Sequence, residues 1–200
     1  MPKYLRLVPA LVLLTLLGCA QPQSSGHDNT EINTSQEPQQ TVIVVDPVIK
    51  KTKHGRIKIK PSVEYKISGK VCITNRNYFG WEGEFIPFDM ILIWGDLAKS
   101  KQDDYLVFSF GGYEYNAQGG LNSEYVENHL KRFYIYPADE NIFRALKTVK
   151  RQQKIQMEGL LIDAQLDYNE RSIGMKSPLA PGMCEYFYVR KIKIGHDIYQ

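Results

Sequence analysis

Residues 63–73 read Val-Glu-Tyr-Lys-Ile-Ser-Gly-Lys-Val-Cys-Ile, and this stretch decides the fold. Its Val, Tyr and Ile side chains all stand at odd positions, so they line one face of an extended chain. This is the strongest strand pattern in the sequence, and Gly69 is a natural point for a bulge or bend. The sequence therefore predicts a long, bent strand with one face against a core.

Runs of β-branched or alternating residues predict further strands at 41–45, 56–60, 88–94, 105–110, 132–136, 155–162 and 186–194. The strand at 56–60 is rich in Lys and ends at Pro61, which is typical of an edge strand. A short helix is predicted at 123–129. A longer helix is predicted at 142–149, because its apolar positions share one face and Asp139 can cap its first turn.

The order of these elements indicates a mainly β (α+β) fold. The order resembles that of the OB barrel, in which one helix lies between strands 3 and 4. Here a bent first strand is followed by two more strands, a helix and two closing strands. The resemblance implies an OB-like small barrel with added strands or loops.

Length and composition predict one globular domain with tails. The chain has 200 residues, of which 43% are hydrophobic and 24% are charged, which excludes a multi-span membrane protein and disorder throughout. The net charge of +3 is too small to indicate nucleic acid as a partner. Residues 20–40 contain no Phe, Trp or Tyr and a single Ile, so residues 19–40 are predicted to be a disordered tether and residues 41–200 a single β-rich domain.

The amino terminus predicts export. Lys3 and Arg6 precede an uncharged apolar run at 7–18, the pattern of a secretory signal peptide. At about 1.5 Å per residue this run spans roughly 18 Å, which is short of the roughly 30 Å of a bilayer core. A cleaved signal is therefore favoured over a membrane-spanning helix.

Leu16-Leu17-Gly18-Cys19 resembles the lipobox of bacterial lipoproteins. The resemblance implies cleavage after Gly18, which makes residues 1–18 the signal peptide, and a diacylglycerol on the Cys19 thiol. Ala20 follows Cys19 where Asp would favour retention at the inner membrane. Similarity to enterobacterial sorting rules therefore implies a lipid anchor in the outer membrane, with the domain facing the periplasm.

A second resemblance covers most of the domain. Its landmarks are Trp94-Gly95 and the stretches at 135–138, 144–147, 158–161 and 184–189. They resemble an uncharacterised family of bacterial envelope proteins. The resemblance implies one compact domain and brings no activity with it.

Two further cysteines, Cys72 and Cys184, fall on the predicted first and last barrel strands, which can be neighbours. Because exported proteins fold in an oxidising compartment, a Cys72–Cys184 disulfide is one prediction. Two separate buried thiols are the equal alternative.

The sequence contains no recognisable catalytic or metal-binding motif, so no catalytic residue, metal or cofactor is predicted. Its four histidines lack the spacing of a zinc site. In the alternative hypothesis of an enzyme, His129 acts as general base with Glu124 or Glu127 nearby. The adjacent Asp103 and Asp104 are predicted to lie in a solvated turn.

Aromatic and basic residues suggest binding surfaces. The chain has 13 Tyr, and although strands favour Tyr for packing, Tyr113, Tyr115, Tyr78 and Trp81 are the predicted binding surface. Six cations in residues 50–60 indicate either a solvated edge strand or attraction to anionic lipid or envelope polymer.

These features together suggest a function. The chain is predicted to be a lipid-anchored, non-enzymatic envelope protein whose β domain binds a protein partner or a cell-wall polymer in a membrane-associated assembly. The alternatives are an envelope hydrolase and an inhibitor or immunity protein that blocks an incoming enzyme or toxin.

Overall fold

The long strand predicted around Gly69 forms, and it is longer than its pattern indicated. A computed structural model describes residues 21–51, 55–99, 101–109, 112–168, 171–178 and 184–200. The predicted signal peptide at 1–18 and the predicted lipidation site Cys19 lie outside the described residues. Within the described ranges, no helix has the length and apolar character needed to cross a bilayer.

Strands dominate the described chain. They are β1 (Gly26–His27), β2 (Gln39–Val42), β3 (Val48–Lys51), β4 (Gly55–Arg76), β5 (Phe88–Ile93), β6 (Leu106–Ser109), β7 (Gly112–Tyr115), β8 (Leu130–Pro137), β9 (Lys154–Tyr168), β10 (Arg171–Met175), β11 (Cys184–Ile194) and β12 (Asp197–Tyr199). The α-helices are α1 (Gly80–Phe85), α2 (Ser123–Asn128) and α3 (Glu140–Thr148). Strands hold 52% of the described residues and helices 17%, which confirms the predicted mainly β class.

Five of the described strands close into a ring in the order β4-β5-β8-β11-β9, after which β9 pairs with β4 again. The β8–β11 pair is parallel and the other four pairs are antiparallel. Inward side chains from all five strands form the largest core cluster, which includes Tyr65, Phe133 and Phe187.

Helix α3 lies between β8 and β9 in the chain and packs on the interior of the ring. The Asp139 side chain accepts a hydrogen bond of 2.8 Å from the backbone N–H of Ile142, which is the predicted cap. Ile142, Ala145 and Leu146 are buried in the same cluster as the ring interior. The apolar face read from the sequence is therefore the face that packs.

Strand β4 changes partner along one edge while β9 follows its other edge. Residues 56–59 pair with β3, 63–66 with β2 and 70–76 with β5. The prediction of an edge strand that ends at Pro61 is therefore wrong. Pro61 is tolerated because the register shifts between Pro61 and Val63, so a bulge removes the need for a ladder donor there. A second shift lies between Val71 and Ile73 rather than at Gly69.

Beyond the ring, β4 and β9 continue into a small sheet that we call the wing: β3, residues 55–61 of β4, residues 162–168 of β9, and β10. Ile57 and Ile162 are fully buried on its inner face, where Phe85 of α1 joins them. A third cluster packs the β6–β7 hairpin and α2 against outward residues of β4 and β5, such as Cys72 and Ile93.

The segment predicted to be a disordered tether instead lies against the barrel in its described part. We call residues 21–38 the strap. The backbone N–H of Ser25 donates to the Ile198 carbonyl at 2.7 Å, and β1 pairs with β12. Ile32 and Thr34 are buried, and the N–H of Gly95 donates to the Thr34 carbonyl at 2.8 Å. Long-range polar contacts thus fix a segment that has little apolar surface of its own.

Cys72 and Cys184 are both free thiols. Cys72 lies on β4 and Cys184 on β11, and the ring places β5 and β8 between them on one side and β9 on the other. The predicted disulfide is therefore wrong, because these two strands are not neighbours. The alternative of two separate thiols describes the structure.

Candidate binding sites

The four aromatic residues predicted to form one binding surface lie in different places. Tyr113 and Tyr115 pack in the third cluster, where the Tyr115 hydroxyl donates to Gln102 Oε1 at 3.0 Å. Tyr78 is 64% exposed in the loop before α1, and its ring lies 4.6 Å from the Arg76 guanidinium. Trp81 lies in α1. The structure does not bring Tyr78 together with Tyr113 and Tyr115.

Four other tyrosines form two cross-strand pairs on the outer face of the ring. Tyr134 faces Tyr186 and Tyr136 faces Tyr188, with ring centroids 5.3 Å and 5.5 Å apart. The Lys50 ammonium of β3 lies 5.1 Å and 4.8 Å from the rings of Tyr136 and Tyr188. All four rings are half-buried, and burial raises the pKa of Tyr134, Tyr136 and Tyr186. These residues attach the wing to the barrel.

Three further cations of residues 50–60 face the other way, and Lys53 lies outside the described residues. Because Ile57 and Ile59 point into the second cluster, the alternating Arg56, Lys58 and Lys60 point to solvent on the outer face of the wing. Lys58 and Lys60 border a groove of about 340 Å³. Its lining consists of Lys58, Lys60, Asp163, Ala164, Gln165, Ser172, Gly174, Met175 and Lys176.

The two carboxylates on this face are already occupied. Asp167 accepts from the Ser172 hydroxyl at 3.1 Å and pairs with Arg56 at 3.6 Å. Asp163 accepts from the backbone N–H of Ser177 at 3.1 Å. Among the described residues, no carboxylate lies within ion-pair distance of Lys58, Lys60 or Lys176. The groove therefore carries a net positive charge, since Lys58, Lys60 and Lys176 line it together with the single carboxylate of Asp163.

A second site lies where the strap crosses the end of β5. Glu37 Oε2 accepts from the indole N–H of Trp94 at 3.0 Å, and Glu37 Oε1 lies 2.9 Å from His129 Nε2. Trp94 is 3% exposed and the His129 side chain 14%, whereas the Glu37 side chain is 68% exposed. We call Trp94 and His129 the clamp. It holds a carboxylate by both oxygens at the protein surface.

The turn after β5 builds the clamp. Gly95 has a φ of +62°, and a Cβ there would lie 2.6 Å from both His129 Cδ2 and the Tyr125 hydroxyl, so only glycine fits. The Tyr125 ring stacks on the His129 ring at 3.7 Å, and its hydroxyl accepts from the Asp96 N–H at 2.8 Å. The clamp donors are therefore held in place before any ligand arrives.

Hydrogen bonding defines the protonation of His129 and its role. Nδ1 lies 2.8 Å from the Tyr125 carbonyl, which can only accept, so Nδ1 carries a proton. Nε2 lies 2.9 Å from Glu37 Oε1, and a hydrogen bond between them requires one further proton, on the ring or on the carboxyl group. The carboxylate partner of His129 is thus Glu37, 92 residues away, rather than the predicted Glu124 or Glu127. Sequence spacing carries no signal for such a contact.

Polar groups continue from the clamp into the barrel. Lys131 Nζ donates to Glu185 Oε1 at 3.1 Å, and Glu185 is fully buried. Glu185 Oε2 has no hydrogen-bond partner among the described residues. Burial raises the pKa of Tyr65 far above its usual value, and the negative charges of Glu185 and Glu37 add to this effect. Tyr65 is thus within electrostatic reach of both the strap carboxylate and the buried one.

The described residues contain no group of three His, Cys, Asp or Glu side chains placed to hold a metal ion. Comparison with known proteins found no matching family model, curated protein or solved structure. The function is therefore argued from the chain's own residues.

Proposed function

We propose that the protein is a lipid-anchored, non-enzymatic envelope protein of the outer membrane whose β domain binds an anionic cell-wall polymer through the outer face of the wing. The observation that carries this proposal is the groove bordered by Lys58, Lys60 and Lys176, whose charges have no partner among the described residues. In this proposal the polymer is one component of the membrane-associated assembly to which the protein belongs.

The spacing of the cations suits a linear ligand. Alternate residues of a strand lie about 7 Å apart, so Arg56, Lys58 and Lys60 form a straight row of positive charge about 14 Å long. Arg56 is shared with Asp167, which leaves the two lysines as the main contacts. A flexible chain with repeated negative groups can follow such a row along the strand.

The position of the wing favours a polymer over the lipid of the anchoring membrane. Gln23 and Asn141 exchange two hydrogen bonds of 2.8 Å and 2.9 Å, so the strap joins the barrel four residues after Cys19 and about 14 Å at most from it. That end of the barrel contains β12 and the start of β9. The wing lies at the other end of β9, and its Lys60 and Lys58 pair with Asp163 and Gln165, about 30 to 36 Å along the strand from Lys154. At physiological salt, charges are screened over about 8 Å.

We also infer that the ring is an OB-like barrel. The ring order, the single parallel pair between its third and fifth strands, and the position of α3 between its third and fourth strands support this inference. The wing, the β6–β7 hairpin and the strap are then additions to that barrel.

Cosedimentation of the full chain with purified peptidoglycan sacculi tests the polymer proposal. We expect Lys58→Glu with Lys60→Glu to lower the bound fraction at least tenfold, and we expect wild-type binding to weaken as salt is raised. The matched control is Lys147→Glu with Lys150→Glu, which makes the same charge change at the exposed end of α3. Equal loss in both double variants, or in neither, would overturn the proposal. Binding to phosphatidylglycerol vesicles instead of sacculi would identify lipid as the ligand.

The anchor is tested separately with Cys19→Ser. We expect the wild-type chain to fractionate with the outer membrane and to carry the mass of a diacylglycerol, and the variant to do neither. Crosslinking of both forms in intact envelopes then shows whether a protein partner depends on the anchor. An unmodified wild-type chain would contradict lipidation without affecting the sacculus result.

A further inference from the structure

We propose that the clamp formed by Trp94 and His129 is a recognition site for a peptide carboxylate, and that Glu37 of the strap occupies it in the free protein. The ligand is a peptide with an acidic side chain or a free terminal carboxylate. This site is distinct from the wing groove, and the inference does not depend on the proposed function.

The geometry of the clamp matches a carboxylate. The Trp94 indole N–H reaches one oxygen of the carboxylate at 3.0 Å, and His129 Nε2, which donates when the ring is protonated on both nitrogens, reaches the other at 2.9 Å. Hydrogen bonds to an ionised acceptor are stronger than neutral ones, and two parallel bonds add directional selectivity. An indole N–H can only donate, so the nearly buried Trp94 requires an acceptor at this position. In the structure this acceptor is the carboxylate of Glu37.

The clamp can exchange its carboxylate without unfolding the strap. The Glu37 side chain is 68% exposed, so rotation about its own bonds is enough to move it into solvent. The strap remains attached on both sides, through the buried Ile32 and Thr34 before Glu37 and through β2 after it. Meanwhile Gly95 and the stacked Tyr125 keep the two donors in place.

The surroundings select a single negative charge. Glu185 is buried in the barrel, and the charges of both Glu185 and Glu37 act on the Tyr65 hydroxyl. A carboxylate in the Glu37 position carries the same charge as Glu37 itself. A phosphate dianion adds a second negative charge and a third oxygen, whereas the two clamp groups match the two oxygens of a carboxylate.

The intramolecular ligand weakens binding of an external one. Groups joined by a short flexible link meet at effective concentrations in the millimolar range or above. Removal of the Glu37 carboxylate therefore removes a local competitor. We expect Glu37→Ala to bind an external carboxylate about tenfold more tightly than the wild-type chain, or more.

Titration of the folded full chain with N-acetylglutamate α-amide tests the proposal. The readout is the indole N–H resonance of Trp94, identified by its loss in Trp94→Phe. In Glu37→Ala we expect this resonance to shift and saturate, at lower probe concentration than in the wild-type chain. N-acetylglutamine α-amide, which lacks the charge, should produce no saturating shift. Glu31→Ala, which changes another exposed glutamate of the strap, should behave as the wild-type chain.

Glu37→Gln provides a second variant of nearly the same size, in case the alanine variant does not fold. The absence of a saturating shift in a folded Glu37 variant would overturn the proposal, as would equal shifts from the charged and neutral probes. An acidic hexapeptide and a cell-wall stem peptide then distinguish the two sources of the carboxylate. Tighter binding of either one supports the proposal and identifies its source. Lys58→Glu with Lys60→Glu should leave this titration unchanged.

Discussion

Lys70 Nζ lies 2.8 Å from Asp103 Oδ1, and the two side chains are only 9% and 5% exposed. The Gln152 side-chain amide also donates to Asp103. Asp103 belongs to a short 3-10 helix at Gln102–Tyr105, so this contact attaches that helix to β4. Both Asp103 and Asp104 were predicted to be exposed to solvent. Asp104 is exposed, whereas Asp103 is buried.

Replacing Asp103 with Asn should destabilise the protein. It leaves the buried Lys70 ammonium without a countercharge, and loss of one partner of a buried pair costs about 3 kcal/mol of the free energy of unfolding. Asp104→Asn is the matched control, and it should change that free energy by less than about 0.5 kcal/mol. Urea unfolding followed by circular dichroism measures both. Equal effects in the two variants would show that Asp103 is solvated.

The same pair predicts how stability depends on acid. Burial alone would raise the pKa of Asp103, but the hydrogen bonds from Lys70 and Gln152 outweigh it and hold the pKa below its usual value. A carboxyl group whose pKa is lower in the folded state stabilises the fold above its unfolded pKa of about 3.9. That contribution is lost as pH falls through the folded pKa. Between about pH 5 and about pH 2, wild-type stability should therefore fall more steeply than that of Asp103→Asn.

Gly159 allows β9 to approach β11 closely. A Cβ at this position would lie 2.1 Å from the Tyr188 carbonyl oxygen, and a backbone atom cannot move aside as a side chain can. Gly159→Ala should lower the free energy of unfolding by about 3 kcal/mol or more. Gly174→Ala in the wing, where nothing lies within 4 Å of the added methyl group, should change it by less than about 1 kcal/mol. Comparable losses would contradict the close approach.

The free thiols predict slow and unequal labelling. Burial raises the pKa of Cys72 to about 12 and also raises the pKa of Cys184, so little of the reactive thiolate forms near neutral pH. In Cys19→Ser protein, a thiol reagent should label the half-buried Cys184 at least about tenfold faster than the buried Cys72. Denatured protein that has never met a reductant should release two thiols. If no free thiol were recovered, Cys72 and Cys184 would be joined by a disulfide.

Elements whose side chains pack against one surface could be predicted from the sequence. The alternating pattern of residues 63–73 correctly predicted the part of β4 that lies in the ring. The shared face of Ile142 and Leu146 likewise predicted α3. In both cases the buried side chains recur with the period of the strand or the helix. Predictions for β8, β9 and β11 were correct in position for the same reason, although each strand extends beyond its predicted bounds.

The strap and the clamp could not be predicted, because their contacts join distant residues by polar groups. The Lys193 ammonium donates to Asp28 Oδ2 at 2.7 Å across 165 residues, and neither position carries a local pattern. Its effect on Asp28 is nevertheless clear, since this hydrogen bond lowers the pKa of Asp28 well below its usual range. Glu37 likewise stands in a polar segment whose composition indicates disorder. One long-range hydrogen bond can hold such a residue in place, although the composition of its segment predicts disorder.

The continuity of β4 and β9 from the wing into the ring has a mechanical consequence. The two strands pair with each other from Gly55 to Lys70, and the bulge between Pro61 and Val63 is the one shift of register in that pairing. A load applied to the wing along these strands is therefore shared by many hydrogen bonds in shear, rather than breaking them one after another. The inner ends of the same strands line the barrel core. Tension at the wing tip is thus transmitted to strands whose side chains are buried in the largest core cluster.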